Sequence, residues 1–275
     1  MLTKDRPLRV AVRCSRRAPG LLHLLDETTR GSRIEVVVVV ASEPSFAEAD
    51  AVRDRGVTVV PHPIARFYET RSSNVYRDFV TRRAYDRETV ELLARYAPDV
   101  VLLDGYLYLL TRPMLDASRN RMLNLHFSDL TIRRADRRPT YAGIRAVRDT
   151  IADGAQETSA TVHLVNDEPD GGPPLVRSWT FPVPALAADA RRWRATDMLK
   201  AYAFAHQEWM IRAASGPLLS AALQLVTDGQ VDLDEAGATD PSRAVPWRLD
   251  EHGRLTPPAS LRMQGILDGY KRASA

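Results

Sequence analysis

Asn124, Leu125 and His126 end a short apolar run that begins at Met122. In an extended chain residues two apart project on one face, so an amide and an imidazole would front a single site together. A polar pair at a strand end can equally cap loose backbone groups, and the spacing alone leaves both uses open. Further along, Asp167, Glu168 and Asp170 precede Gly171-Gly172, a grouping of carboxylates and glycines of the kind that can hold calcium. The stretch lacks the EF-hand spacing and has no second carboxylate cluster near it, so no metal is expected. Arg16 and Arg17 form a cationic pair whose planar forks suit an acidic ligand, although two solvated loop arginines would read the same way. Cys14, the single cysteine, reads as a buried, inert thiol.

The elements that must position these residues alternate between two types. Leu8–Val12, Ile34–Val40, Val57–Val60 and Val100–Leu103 are short runs rich in Val, Ile and Leu, which suit strands buried on both faces of a parallel sheet. Between them, Phe46–Arg55 and Asp86–Tyr96 have helical character, and Ala97-Pro98 ends the second. Met122–His126, Ala160–Val165 and a segment near Leu175–Val183 add strands, with a helix from about Thr140 to Gly154. This alternation predicts an open α/β sheet. Ligands of such sheets bind beyond the carboxyl ends of the strands, which nominates Arg13–Gly20, Asp104–Leu110, Asn124–Asp129 and His163–Pro173. From Trp193 to Val226 apolar residues such as Met198, Tyr202, Trp209 and Ala213 recur at helical spacing, with Gly216-Pro217 expected to break or kink the helix. Beyond Asp228 the chain reads as loops and a loosely packed tail.

With 275 residues, 44% hydrophobic and 27% charged, the chain is neither disordered nor fibrous. One cysteine rules out an intramolecular disulfide and a paired-cysteine metal or redox motif, and points to a reducing compartment. The charged start MLTKDRPLRV lacks the apolar core of a signal peptide, and no apolar run nears the ~18 residues of a membrane span. A soluble, cytoplasmic protein with no membrane partner is expected. The net charge is +3 and the basic residues are nearly all arginine, with lysine only at Lys4, Lys200 and Lys271. Ala185–Ala275 carries eleven basic and eleven acidic residues, so the excess lies in 1–184 and there is no basic tail to bind nucleic acid.

The runs YDRETVELLARYAPDVVLLDGYLYLLT, LNLHFSDL and TVHLVNDEPDGGPPL, in order within Tyr85–Val183, resemble the formyltransferase family typified by glycinamide ribonucleotide formyltransferase, as does the later HQEWMIRAASGPLLSAALQLVTDG. The resemblance implies a Rossmann-like, mostly parallel sheet, with residues 1–184 as the catalytic domain and 185–275 as a helical C-terminal extension and loop-rich tail. It implies 10-formyltetrahydrofolate as formyl donor, an amine as acceptor and no metal. The family's signature, an Asn-x-His strand end and an Asp in a D-x-G or D-G-G turn, falls on Asn124, His126 and Asp170, the last 44 positions after His126. Those residue types suit the chemistry. Formyl transfer to an amine passes through a tetrahedral intermediate whose oxygen gains charge and needs aimed donors. Asn124 would supply one through its amide, and His126 a second if protonated, a state that Asp170 would favour. A water between Asp170 and the amine offers a route for the amine's proton. By the same resemblance the folate ring is expected against Leu107, Tyr108, Leu109 and Leu110, and against Val165, Asn166, Asp167 and Glu168, largely through backbone groups. His163 and Thr161 share the strand leading to that loop, where a packing role is as well supported as a functional one.

The first loop departs from the family pattern. Ribonucleotide formyltransferases carry a G-x-G-S-N loop there to cradle a substrate phosphate, whereas this chain has Ser15-Arg16-Arg17-Ala18-Pro19-Gly20. The expected acceptor is therefore a small amine other than glycinamide ribonucleotide, such as a sugar, amino acid or secondary-metabolite amine. Arg16 and Arg17 would suit an acidic one. Asp104 would hold an ammonium on the acceptor, and Arg133 and Arg134 would meet an acidic acceptor or the folate glutamate tail. Two other functions use the same fold: a formyltetrahydrofolate hydrolase and a non-catalytic folate-binding protein. The hydrolase carries a regulatory domain ahead of the catalytic one, whereas nine residues precede Val10, and retention of Asn124, His126 and Asp170 argues against the binding protein. Trp193–Val226 can cover the sheet's edge or make a homodimer.

Overall fold

The structure is a computed structural model and describes residues 6–28, 31–73 and 78–261. Its strands are β1 (Leu8–Cys14), β2 (Ile34–Ala41), β3 (Val59–Pro61), β4 (Val100–Leu103), β5 (Met122–His126), β6 (Glu157–Thr158), β7 (Thr161–Leu164), β8 (Pro174–Arg177), β9 (Phe181–Pro182), β10 (Trp247–Leu249) and β11 (Leu255–Thr256). The helices are α1 (Leu21–Thr28), α2 (Ala49–Asp54), α3 (Ile64–Glu69), α4 (Phe79–Ala94), α5 (Arg112–Ala117), α6 (Ala146–Ala152), α7 (Ala185–Arg192), α8 (Thr196–Thr227) and α9 (Leu233–Ala238).

Among the described residues nine strands form one sheet in the order β11-β10-β8-β7-β5-β4-β1-β2-β3, and β6 pairs with β9 apart from it. The valine-rich strands sit where both faces are covered. On β1, Val10, Val12 and Cys14 enter a core with Leu21 and Leu24 of α1 and Leu218 and Ala222 of α8. Ala11 enters the opposite core with Leu93 of α4 and Met114 of α5. β1 to β5 run parallel, and the chain order reverses between β1 and β4, the crevice in which open α/β sheets bind ligands. β7 then enters antiparallel to β5, setting His163 opposite Asn124 and Thr161 opposite His126.

Four expectations need correction. The helix expected over Asp86–Tyr96 begins at Phe79, because the Asp78 side chain accepts from the Val80 and Thr81 N–H groups and caps it there. Gly216-Pro217 does not break the long helix, which runs unbroken from Thr196 to Thr227. Gly216 serves close packing instead: a Cβ there would lie 2.4 Å from His23 Cβ on α1, and one on Gly20 would lie 2.6 Å from Leu219 Cδ1 on α8. The buried stripe of α8 is Ala203, His206, Met210, Ala214 and Leu218, while Met198 and Trp209 face outward. The segment beyond Asp228 is not a loose tail: it forms α9 and β10, buries Leu233 and Leu249 in the main core, and extends the sheet through a parallel pairing of β10 with β8. Three-residue strands are too short to show a period in sequence. Among the described residues no helix is long and apolar enough to cross a membrane.

Candidate active site

β5 delivers Asn124 and His126 to the carboxyl end of the sheet, and the loop after β7 folds back to bring Asp170 to them. Gly172 makes that return possible, since a Cβ there would lie 1.7 Å from the Leu164 carbonyl oxygen. Asp170 itself takes a left-handed φ of 54°, which Asp tolerates better than most residues. Its Oδ2 accepts the Gly143 N–H at 2.7 Å, clasping the loop after β5 to the loop after β7.

The other oxygen of Asp170 faces three side chains. Its Oδ1 lies 3.4 Å from Asn124 Nδ2, 3.5 Å from His126 Nδ1 and 3.7 Å from His163 Nε2. The partners assign the tautomers. His163 Nδ1 donates to the Leu164 carbonyl at 3.1 Å, which leaves Nε2 to accept from Asn124 Nδ2 at 3.1 Å and fixes which way the amide faces. His126 Nε2 donates to the Tyr141 carbonyl at 2.9 Å, a carbonyl that also accepts from Ser128 Oγ at 2.7 Å. Both His126 nitrogens thus face acceptors, an arrangement suited to two ring protons.

Burial opposes the second proton. It draws the His126 imidazole below its usual range, and the nearby Asp170 charge offsets only part of that. The ring therefore gives up a second proton more readily than a free imidazolium does. Burial also pushes the Asp170 carboxyl up, but the flanking His163 and His126 rings and the Gly143 N–H together hold it well below the usual carboxylate range. Asp170 is ionised throughout the neutral region.

These groups floor a cavity of about 600 Å³, a size typical of small-molecule sites. All eight residues expected against the folate ring line it: Leu107, Tyr108, Leu109 and Leu110 after β4, and Val165, Asn166, Asp167 and Glu168 after β7. Leu107 and Leu109 are each 54% exposed, so apolar surface awaits a flat ring beside polar loop backbone, and the residues present fit a pterin. Asp167 pairs with Arg112 at 2.9 Å and Glu168 with Arg138 at 3.0 Å.

The expected acceptor residues are scattered. Arg16 and Arg17 line the cavity, but the Arg17 fork is bound by Glu208 of α8 at 2.9 and 2.8 Å. Asp104 also lines the cavity but is fully buried: its Oδ2 accepts the Gly20 N–H at 2.9 Å, its Oδ1 has no hydrogen-bond partner among the described residues, and burial pushes its carboxyl up to about 7. Arg133 and Arg134 stand outside the cavity lining and donate to carbonyls of their own hairpin, Arg137 at 2.9 Å and Thr140 at 3.1 Å. Cys14 is buried, and that burial pushes its thiol up. Phe127 of the nominated Asn124–Asp129 segment lines the cavity as well, and sequence reading missed Ile144, Gln207 and Ile211, which do so too. The four-residue spacing of Gln207 and Ile211 in a helix was the available signal for the last two.

The model of the Formyl transferase family matches residues 8–214. Phosphoribosylglycinamide formyltransferase of Escherichia coli (strain K12) is 37% identical over 112 residues, 41% of this chain and 48% of that protein. The trifunctional purine biosynthetic protein adenosine-3 of Bos taurus is 26% identical over 230 residues, 83% of this chain and 19% of that protein. The chain thus spans less than half the length of either. Among solved structures, glycinamide ribonucleotide transformylase 1 from Symbiobacterium toebii superposes with a TM-score of 0.63 at 26% identity, covering 84% of this chain and 93% of that one. A formyltetrahydrofolate deformylase from Burkholderia mallei shares the fold, with a TM-score of 0.59 at 20% identity over 83% of this chain and 68% of that one. A family model that runs from the first strand into the long helix, over a sheet whose crevice holds Asn124, His126 and Asp170, makes this chain a member of the formyl transferase family.

Proposed function

We propose that the chain is an N-formyltransferase that moves a formyl group from 10-formyltetrahydrofolate to the amine of a small acceptor other than glycinamide ribonucleotide. The observation that carries this reading is the convergence of an amide and an imidazole on one ionised carboxylate oxygen, at 3.4 and 3.5 Å, on the floor of a cavity lined by residues suited to a pterin. Bound there, 10-formyltetrahydrofolate supplies an activated formyl carbon. The segments Leu107–Leu110 and Val165–Glu168 hold the ring. Asn124 turns an N–H from its long contact with Asp170 toward the oxygen that gains charge, and the His126 ring donates beside it through Nδ1, whose contact with Asp170 is also long, in a buried setting where such bonds are strong. Asp170 keeps the second His126 proton available during charge build-up and orders a water through which the proton lost by the attacking amine passes to the folate nitrogen as its bond to the formyl carbon breaks. None of the three acts as a nucleophile, so the transfer is direct. The changed loop Ser15–Gly20 supports an acceptor other than a ribonucleotide, and a cytoplasmic setting belongs to the same reading.

The test is tetrahydrofolate release from 10-formyltetrahydrofolate with and without amines, for the wild type and for His126→Ala. Amine-dependent release is expected, lost in a variant whose melting curve is unchanged. Release without amine would make water the acceptor. Full activity of His126→Ala would overturn the site assignment.

A further inference from the structure

We infer that the acceptor bears no anionic group where it meets the first loop, and that it lays an apolar arm there beside its amine. The inference rests on the proposed function for the identity of the acceptor, but its structural grounds are separate. A helix start is a ready anion site, because its N–H groups point outward at the positive end of the dipole. Here the protein's own carboxyl groups take the N–H groups leading into α1: Ala18 donates to Glu48 Oε2 at 2.8 Å and Gly20 to Asp104 Oδ2 at 2.9 Å. The loop is also pressed onto the sheet. Gly105 has a φ of 72°, and a Cβ there would lie 2.3 Å from the Arg17 carbonyl oxygen, leaving no gap for a phosphate between the loop and the end of β4.

The guanidinium that an acid would seek is already neutralised, since both Arg17 terminal nitrogens bind Glu208, at 2.9 and 2.8 Å. Arg16 remains at the rim, exposed, where water and salt screen a charge contact. The same cavity is lined by Pro19, Phe127, Val147 and Ile211, with Gln207 one turn from Ile211, and by Ile144, which is 77% exposed. Large apolar side chains left in water round the mouth of a cavity mark a surface that an apolar ligand covers.

Three probes separate the chemistries: phenethylamine, phenylalanine, which adds a carboxylate, and O-phosphoethanolamine, which carries a phosphate. Binding is measured by calorimetry without folate, and kcat/KM with 10-formyltetrahydrofolate. Phenethylamine is expected to bind, and to be favoured in both measurements by at least about tenfold over the two anionic amines. Glu208→Gln, which frees the Arg17 fork, is expected to narrow the ratio of phenethylamine to phenylalanine by several-fold. Failure of phenethylamine to bind, preference for either anionic amine, or an unchanged ratio in Glu208→Gln would overturn the inference. If no amine is formylated yet phenethylamine still binds in preference, the proposed function fails and the inference stands. If formyl transfer prefers the anionic amines, the inference fails and the proposed function stands.

Discussion

Asp170→Asn isolates the charge that organises the site while leaving its shape. The backbone tolerates the change, because Asn accepts the left-handed φ of 54° found at this position. The amide oxygen can still accept the Gly143 N–H, now 2.7 Å from Oδ2. What disappears is the anion 3.5 Å from His126 Nδ1. At an effective dielectric of ~20 a charge pair at that separation is worth about 5 kcal/mol, an upper bound on the imidazolium stabilisation lost. The new NH₂ group would also face Asn124 Nδ2, donor against donor. At about 1.4 kcal/mol per decade the expected loss in kcat is about three orders of magnitude. Asp170 raises the His126 pKa, so the alkaline limb of the rate profile, where the ring loses its second proton, should also move to lower pH. Single-turnover tetrahydrofolate release across neutral pH, beside a melting curve, checks both effects. A folded Asp170→Asn enzyme within about threefold of the wild-type rate would refute the role of the charge, because general acid–base participation contributes about a hundredfold or more.

The remaining predictions concern what holds the site in place. Asp104 ionises in the fold only at about 7, pushed up by burial, against 3.8 when free. The unfolded chain therefore sheds this proton first, so stability should fall by ~4 kcal/mol as pH rises from about 4 to about 7 and then level off. Asp104→Asn should flatten that slope in thermal melts and be the more stable form at pH 8; a slope equal to the wild type's would refute the buried acid. Gly172→Ala puts a Cβ 1.7 Å from the Leu164 carbonyl oxygen, so a loss of at least about 1–3 kcal/mol in denaturant unfolding and displacement of Asp170 are expected. His163→Ala frees the Asn124 amide to turn and should cost up to about a hundredfold in kcat with little change in KM, while His163→Gln, which keeps an acceptor, should recover part of it. Equal kcat values for the two His163 variants would remove the positioning role.

The parts of this protein that were legible in sequence are those set by local period and steric rules. Buried parallel strands need apolar side chains on both faces, so Ile34–Ala41 announces itself; a pair spaced by two, Asn124 and His126, must share a face once the strand is granted. The start of α4 was misread because its cap, Asp78, lies eight residues before the Asp86 from which the helix had been expected. What the sequence could not carry is the choice of distant partner. Arg17 reads as a free cation in a loop until Glu208, 191 residues away, is found bound to it. Asp104 reads as an open carboxylate until Gly20, 84 residues away, is found donating to it. An isolated residue type reports what a group can bind, and only the fold reports what it has already bound. At the first loop that distinction bears on the proposed acceptor: the Arg17 fork that suggested an acid is bound by Glu208, Arg16 stays exposed, and Ile144 adds exposed apolar surface to the cavity lining.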